Sequence, residues 1–258
     1  MKPLVELPAA AIRGLLFDID DTLTTQGKLT AEAYAALERV HTAGKRTVAV
    51  TGRPAGWCDH MARTWPVDAV VGENGAFYFC YANGRLHRRY QDAPEVREGN
   101  RERLTRIAER IVAAVPGCAI AADQPYRETD LAIDYCEDVP PLPLAAAERI
   151  AELMRAAGLH AKVSSIHVNG WFGDYDKLAM TQRLFSLEFA IDLAHEREAI
   201  AYVGDSPNDA PMFEFFPYSI GVANVQRFAG AIATPPKYIT RATAGAGFAE
   251  VISHVLGA

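Results

Sequence analysis

The stretch LLFDIDDTLT, residues 15–24, decides the fold and the chemistry of this sequence. It begins as a short apolar run and ends in acidic residues, which is typical of a buried parallel strand followed by a loop. Asp18 and Asp20 lie two residues apart at the strand end. Two carboxylates this close repel each other, so they need a cation or a shared proton, and they can act as nucleophile and general acid–base. The alternative is an acidic turn without a chemical role.

Strand and helix patterns alternate on both sides of this stretch. Short links between them favour right-handed parallel crossovers, and therefore an α/β fold with a Rossmann-like, doubly wound parallel sheet. The predicted elements after the first strand are helix 30–43, strand 47–51, helix 54–65, strand 68–72, helix 177–189, strand 199–205, helix 207–215, strand 219–223 and helix 248–256.

The middle of the chain has a different pattern. Asn83-Gly84 between two strand-like runs predicts a hairpin. Two amphipathic helices and further short strands follow, and together they indicate a separate α+β unit inserted into the sheet domain. We expect residues 1–81 and 173–258 to form the core and residues 82–172 to form the insert.

Two more predicted strands end in polar residues. Thr51 and Gly52 form a strand–helix turn, where a hydroxyl and a permissive glycine backbone suit an anion. Asp205, Asn208 and Asp209 follow another strand, and their oxygens suit a hard cation such as Mg²⁺. In open α/β sheets the carboxyl ends of the strands form the ligand crevice. The alternatives are an ordinary capped loop at the first position and a capped helix N-terminus at the second.

Lys177 opens the helix that follows the insert. A cation at a helix N-terminus opposes the helix dipole, so a nearby anion would explain its position. The alternative is a solvated lysine on the surface.

Taken in order, these features resemble the four motifs of the haloacid dehalogenase superfamily, in its phosphatase branch. The matching residues are Asp18 to Thr22, Thr51, Lys177 and Gly204 to Asp209. The insert resembles the B-type α/β cap that this family carries at its second cap site. GENGA, residues 72–76, also resembles the branch with sucrose-phosphate, mannosyl-phosphoglycerate and broad sugar-phosphate phosphatases and a phosphomannomutase; the alternative for it is a simple turn.

The resemblance implies a role for each matching residue. Asp18 would attack phosphorus and form an aspartyl-phosphate, while Asp20 would protonate the leaving alcohol and then activate water. Thr51, Gly52 and Lys177 would hold the phosphate. The implied Mg²⁺ ligands are Asp18, Asp20 through its backbone carbonyl, and Asp205, with Asp209 and Asn208 close to the ion. The candidate substrate contacts are Arg53, His167, Asn169 and Asn208, with surface or packing roles as the alternative.

The expected function is therefore Mg²⁺-dependent hydrolysis of small phosphorylated metabolites, in particular sugar phosphates. A phosphomutase on the same fold is one alternative. A non-catalytic domain that senses a metabolite is another, although sensing needs no nucleophile paired with an acid. The expected partner is a small-molecule phosphate ester, bound by a monomer or a homodimer.

Composition excludes several classes of protein. The formal net charge of -6 argues against nucleic-acid binding, which relies on a basic surface. About 20 consecutive apolar residues would be needed for a membrane span, and no such run is present. The 4 cysteines form no CxxC pair, so neither a zinc ribbon nor a dithiol redox site is indicated. Without a signal-peptide pattern at the N-terminus, we expect a cytoplasmic protein.

Overall fold

The computed structural model describes residues 1–257 and contains two β-sheets. The larger sheet has nine strands, which are β1 (Lys2–Pro3), β2 (Gly14–Phe17), β3 (Arg46–Val50), β4 (Ala69–Gly72), β5 (Phe77–Ala82), β6 (Arg85–Tyr90), β11 (Ile200–Gly204), β12 (Tyr218–Gly221) and β13 (Tyr238–Ile239). The smaller sheet has four strands, which are β7 (Ala119–Ile120), β8 (Asp130–Asp134), β9 (His160–Val163) and β10 (His167–Trp171).

The large sheet is parallel except at one edge. Its strand order is β1-β13-β12-β11-β2-β3-β4-β5-β6, and only the pairs β4–β5 and β5–β6 are antiparallel. Central β2 is buried on both faces, because Leu15 and Phe17 belong to one apolar cluster and Leu16 to the other. A strand buried on both faces has a continuous run of apolar residues. For this reason β2 is recognisable in the sequence.

Helices cover both faces of the large sheet. The helices are α1 (Ala31–Thr42), α2 (Ala55–Thr64), α3 (Pro94–Ala114), α4 (Leu144–Ala156), α5 (Lys177–Phe189), α6 (Leu193–Glu196), α7 (Ala210–Phe215) and α8 (Ala244–Leu256). Apolar side chains of α1, α2 and α8 belong to the first cluster, and those of α5 and α7 to the second. The predicted doubly wound α/β architecture is confirmed.

The hairpin at Asn83-Gly84 belongs to the large sheet. Both residues have a positive φ, 53° and 73°, as a tight hairpin turn with two left-handed residues requires. The strand that follows, β6, pairs along its whole length with β5. The predicted division at residue 82 therefore falls inside a hairpin of the large sheet.

The elements from α3 to β10, residues 94–171, form what we call the small-sheet unit. Its strands are all antiparallel, in the order β7-β8-β10-β9. Side chains of α3 and α4, among them Leu104 and Ile150, form a separate apolar core with the sheet. This matches the α+β character expected of the insert.

One helix begins at a proline, and another begins earlier than predicted. Helix α3 starts at Pro94, since proline suits the first turn of a helix. Helix α8 starts at Ala244, ahead of the predicted Phe248. Its Gly245 is close enough to Leu23 that a Cβ there would lie 2.8 Å from the Leu23 carbonyl oxygen. In residues 1–257, no helix combines the length and the hydropathy needed to cross a bilayer.

Candidate active site

Three polar residues meet at the carboxyl edge of the large sheet. Asp18 follows β2, Thr51 follows β3 and Asp205 follows β11. These three strands are neighbours, with β2 between β11 and β3. Because parallel strands end at the same edge, residues up to 187 positions apart in the sequence lie next to one another.

Three buried carboxylates form a compact group, which we call the acidic cluster. One oxygen atom from each of Asp18, Asp205 and Asp209 lies within 4.8 Å of the others. The Asp205 carboxylate accepts hydrogen bonds from the Thr22 hydroxyl at 3.3 Å and from the Asn224 amide at 2.9 Å. The side chain of Asp20 is not part of this group.

Asp209 is held by four donors. Its Oδ1 accepts from Lys177 Nζ at 2.8 Å and from Tyr202 Oη at 2.5 Å. Its Oδ2 accepts from the backbone N–H groups of Asp205 and Ser206 at 3.0 and 3.2 Å. Asp209 therefore fixes the loop that carries Asp205 as well as the lysine.

The acidic cluster carries more negative charge than its surroundings offset. Burial raises the pKa of Asp18 to about 7, against the attraction of Lys177 and with added repulsion from Asp209 and Asp20. Burial also raises the pKa of Asp205 well above its usual range, as do Asp18 and Asp209. Buried oxygen ligands with excess negative charge fit a hard divalent cation, which would favour their ionised form.

Lys177 is the cation of the site. Its Nζ lies 3.0 Å from Asp18 Oδ1 and 2.8 Å from Asp209 Oδ1, and the residue is 2% exposed. Burial alone would lower the pKa of Lys177, but these two acids raise it above its usual value. The position of Lys177 at the start of a helix suggested a nearby anion. The carboxylates of Asp18 and Asp209 provide that negative charge.

A glycine places Lys177 at this point. A Cβ on Gly75 would lie 2.0 Å from the backbone oxygen of Asp176, and Gly75 has a φ of +106°. Asp176 caps α5 by accepting from the Ala179 N–H at 2.8 Å. The GENGA segment thus allows the first turn of α5 to approach the strand ends closely.

The loop Thr51–Arg53, which we call the Thr51 loop, lies beside the acidic cluster. The Thr51 hydroxyl is buried and accepts from the Arg53 N–H at 3.0 Å. A Cβ on Gly52 would lie 3.1 Å from Asn74 Nδ2 and 3.5 Å from Asn169 Oδ1, so a larger residue there would crowd the Asn74 side chain.

Asparagine side chains surround this loop. Asn208 Nδ2 donates to Asn74 Oδ1 at 3.4 Å. The buried Nδ2 of Asn74 has no hydrogen-bond partner among residues 1–257. A buried, unpaired donor next to Gly52 suits an anion at this position.

Arg53 connects Asp20 with the small-sheet unit. Its Nε lies 2.9 Å from each Asp20 carboxylate oxygen, and its Nη2 lies 2.8 Å from Oδ1. The same guanidinium binds Asp123 at 3.3 Å and Glu137 at 2.5 Å. The Arg53 side chain is thus bound to three carboxylates.

His167 and Asn169 lie on β10, and both are buried. His167 Nε2 lies 2.9 Å from Glu137 Oε2, and Asn169 Nδ2 donates to Asp130 at 3.0 Å. Burial alone would raise the pKa of Glu137, but the neighbouring His167 and Arg53 side chains lower it to about 2. Glu137 is therefore an anion that connects β10 to Arg53 and Asp20.

Sequence reasoning missed Glu73, which lies in the GENGA segment, residues 72–76. Its φ is 42° and its side chain is fully buried. The carboxylate accepts from the backbone N–H groups of Ala55, Glu128 and Thr129 at 2.9, 2.9 and 2.7 Å. It therefore joins the start of α2 to the small-sheet unit. The available signal was an acid between a buried strand and an Asn-Gly pair.

Sequence reasoning also missed Glu137 and Asn224. Glu137 lies in the loop after β8 and Asn224 in the turn after β12, with no motif around either. Asn224 bridges two segments by donating to the Asp205 carboxylate and to the Asp21 carbonyl, both at 2.9 Å.

We expect the metal-free protein to lose stability as pH rises from about 4 to about 7. The pKa of Asp18 is raised from 3.8 to about 7 and that of Glu73 from 4.5 to about 7. In this window the folded state holds protons that the unfolded state has released, so the free energy of unfolding falls with pH, on the order of a few kcal/mol per group. Thermal unfolding followed in EDTA between pH 5 and 8, a range of about 3 pH units, measures this fall in the free energy of unfolding.

Two controls accompany the pH series. Mg²⁺ added near pH 8 should raise the unfolding temperature, because binding to the folded state stabilises it. The Asp18→Asn variant should show a weaker decline with pH. Stability that rises steadily over this range in EDTA would contradict the expectation.

Comparisons with known proteins agree with this architecture. A model of the haloacid dehalogenase-like hydrolase family matches residues 15–97. No curated protein matches the chain. A solved structure of Thermoplasma acidophilum 0175 superposes with a TM-score of 0.71 at 17% identity, covering 95% of this chain and 98% of that one.

Two similar structures are described as phosphatases. The C-terminal domain of a trehalose-6-phosphate phosphatase from C. albicans has a TM-score of 0.68 at 13% identity and covers 96% of this chain and 93% of that one. A haloalkanoate-superfamily phosphatase from Bacteroides thetaiotaomicron has a TM-score of 0.61 at 20% identity, with 95% of both chains covered. The chain therefore shares the haloacid dehalogenase-like fold of these structures over about 95% of its length.

Proposed function

From this hydrolase fold and the geometry of the site, we propose that the protein is a Mg²⁺-dependent phosphatase of small phosphorylated metabolites, in particular sugar phosphates. The observation that carries the proposal is the contact of Lys177 with Asp18 inside the buried acidic cluster, at 3.0 Å. A lysine and a cation-binding group of carboxylates together suit the charge of a phosphate ester, whose transfer depends on positioning and charge neutralisation.

The acidic cluster would hold the Mg²⁺ ion through Asp18, Asp205 and Asp209. When bound, the ion supplies positive charge that offsets the carboxylates and the phosphate oxygens. Asp205 is held by Thr22 and Asn224, so its carboxylate is oriented before any ligand arrives.

Asp18 is the proposed nucleophile. One of its carboxylate oxygens attacks phosphorus, the bond from phosphorus to the leaving oxygen breaks, and an aspartyl-phosphate forms. Lys177, 3.0 Å from Asp18 Oδ1, is placed to contact the phosphoryl oxygens as well. The same phosphoryl oxygens are proposed to bind at the Thr51 loop. Gly52 of this loop lies close to Asn74, whose amide Nδ2 is unpaired.

Asp20 is the proposed general acid and base. It gives a proton to the leaving alkoxide and later takes one from the water that attacks the aspartyl-phosphate, which releases phosphate and restores Asp18. Arg53 holds the Asp20 carboxylate through Nε and Nη2. This pairing fixes the orientation of Asp20, which a proton-transfer group needs.

The small-sheet unit supports a polar leaving group. Glu137 and His167 lie on the Arg53 side of the site. The buried Ser165 hydroxyl has no hydrogen-bond partner in the part of the chain that the structure describes. Groups of this kind suit the hydroxyls of a sugar, and the likeness to a trehalose-6-phosphate phosphatase supports the same substrate class.

We expect the purified protein to release inorganic phosphate from p-nitrophenyl phosphate in the presence of Mg²⁺. EDTA should lower the rate by about 100-fold or more, because the charge of the carboxylates and the phosphate would then be poorly offset. Return of activity on adding Mg²⁺ in excess of EDTA is the control. Equal rates with and without EDTA would contradict the metal dependence.

The same assay separates the alternatives. Exchange of phosphate between two hydroxyls of a sugar bisphosphate, without release of inorganic phosphate, would indicate a phosphomutase. Binding of phosphorylated metabolites with no turnover of any of them would indicate a sensing domain. A panel of phosphorylated metabolites compared by kcat/KM then identifies the preferred leaving group.

A further inference from the structure

A cavity of about 350 Å³ opens beside Asp20. It lies between the loop that follows β2 and helix α2. Asp20 and Arg53 line it, whereas Lys177 and the three members of the acidic cluster do not. The remaining walls are largely apolar, and include Leu29, Trp57, Met61 and Trp65.

Trp57 is the distinctive residue of this cavity. It is 40% exposed, although it is one of the largest apolar side chains in the protein. The Cζ atom of Arg53 lies 4.4 Å from the centre of its ring, and Arg53 in turn binds Asp20. An uncovered indole therefore lies one residue away from the proposed general acid, and an exposed aromatic surface at such a place indicates a ligand contact.

The proposed reaction determines where the leaving group must be. In an in-line transfer the leaving oxygen lies on the opposite side of phosphorus from the attacking Asp18 oxygen. The same oxygen must come within hydrogen-bond reach of Asp20, its proton donor. The cavity is the space that Asp20 shares with apolar side chains, so it is placed to receive the group attached to that oxygen.

We infer that Trp57 binds the leaving alcohol of the substrate, and that this alcohol carries a ring with a flat apolar face. The inference rests on the proposed phosphatase function and names its substrate class. The C–H face of a sugar and the face of an aromatic ring share this chemistry, since both pack on indole. An acyclic alcohol has no such face and gains little from Trp57.

The test compares kcat/KM for three substrates, phenyl phosphate, glucose 6-phosphate and glycerol 1-phosphate, in the wild-type protein and Trp57→Ala. We expect the variant to lose about 10-fold or more on at least one ring-bearing substrate, and less than about twofold on the acyclic glycerol 1-phosphate. Loss on phenyl phosphate alone assigns an aromatic alcohol, and loss on glucose 6-phosphate alone assigns a sugar. Trp57→Phe, which keeps a ring, should restore most of the lost activity.

Tyr81→Ala is the matched control. Tyr81 is 43% exposed and has Arg63 over its ring at 5.5 Å, so it resembles Trp57 in exposure and pairing but lies outside the cavity. The Tyr81→Ala substitution should change none of the three kcat/KM values. Equal losses on all three substrates in Trp57→Ala would overturn the inference, because they would mean that Trp57 only positions Arg53. No loss on either ring-bearing substrate would overturn it as well.

A binding measurement separates this inference from the proposed function. In an Asp18→Asn background, titration calorimetry with phenyl phosphate and glucose 6-phosphate needs no turnover. Trp57→Ala should weaken the Kd of the ring-bearing phosphate about 10-fold. A weakened Kd in a protein that turns over no substrate would overturn the proposed function but support the binding role of Trp57. An unchanged Kd in an active phosphatase would overturn the binding role of Trp57 alone.

Discussion

Replacing Asp18 by Asn is expected to lower kcat/KM for p-nitrophenyl phosphate by about four orders of magnitude or more. The amide has nearly the shape of the carboxylate but cannot act as a nucleophile, and loss of a nucleophile removes most of the rate enhancement of a covalent mechanism. Steady-state phosphate release in saturating Mg²⁺ measures the effect. Activity within about tenfold of the wild type would contradict the nucleophile assignment.

The neighbouring acid provides the control for this substitution. Asp21 lies three residues from Asp18, and its carboxylate lies 3.7 Å from Arg227. Asp21→Asn makes the same chemical change, in a left-handed backbone position that asparagine tolerates. It should alter kcat/KM by less than about threefold. In EDTA near pH 8, Asp18→Asn should unfold at no lower temperature than the wild type, because it removes a buried carboxyl whose pKa is raised to about 7.

Replacing Lys177 by Met should damage both stability and activity. The ammonium group is buried between two carboxylates, at 3.0 and 2.8 Å. Removing one partner of a buried ion pair leaves uncompensated charge and costs about 3–5 kcal/mol, which lowers the unfolding temperature by roughly 10 °C in a protein of this size. The loss of a cation at the phosphoryl group should also reduce kcat by about 100-fold or more.

Two comparisons make the Lys177 result interpretable. Lys28→Met changes an exposed lysine in the same way and should leave the unfolding temperature nearly unchanged. Combining Lys177→Met with Asp18→Asn removes a cation and one of its anions together, so the double variant should be more stable than additivity predicts. Strict additivity would show that the two charges are not coupled.

The sheet domain was predictable because its central strands are buried on both faces. Continuous apolar runs such as Gly14–Phe17 cannot be confused with amphipathic surface strands, and the acids that follow them identify the functional edge of the sheet. The order β11-β2-β3 then brings together Asp18, Thr51 and Asp205. Local patterns were sufficient here, since a parallel sheet places all strand ends at one edge.

The rest of the site depended on contacts that no local pattern encodes. The partners of Arg53 include Asp20, 33 residues away, and Glu137, 84 residues away. The hairpin strand β6 was assigned to the insert because its sequence, RLHRRY, gives no sign of which sheet it joins. Edge strands are half exposed and polar, so their pairing is determined by the fold around them.

The buried carboxylate of Glu73 has a consequence for how this protein can be rebuilt or diversified. Its oxygens accept N–H groups from both the large-sheet domain, at Ala55, and the small-sheet unit, at Glu128 and Thr129. Arg127 of the same unit donates to the Gly52 carbonyl at 2.8 Å. A chimera that grafts a foreign insert onto this core would remove the Glu128 and Thr129 donors from Glu73 and the Arg127 hydrogen bond from Gly52. The insert is therefore not an interchangeable module, and a change of substrate range is more accessible by point substitution around Asp20 than by exchange of the whole unit.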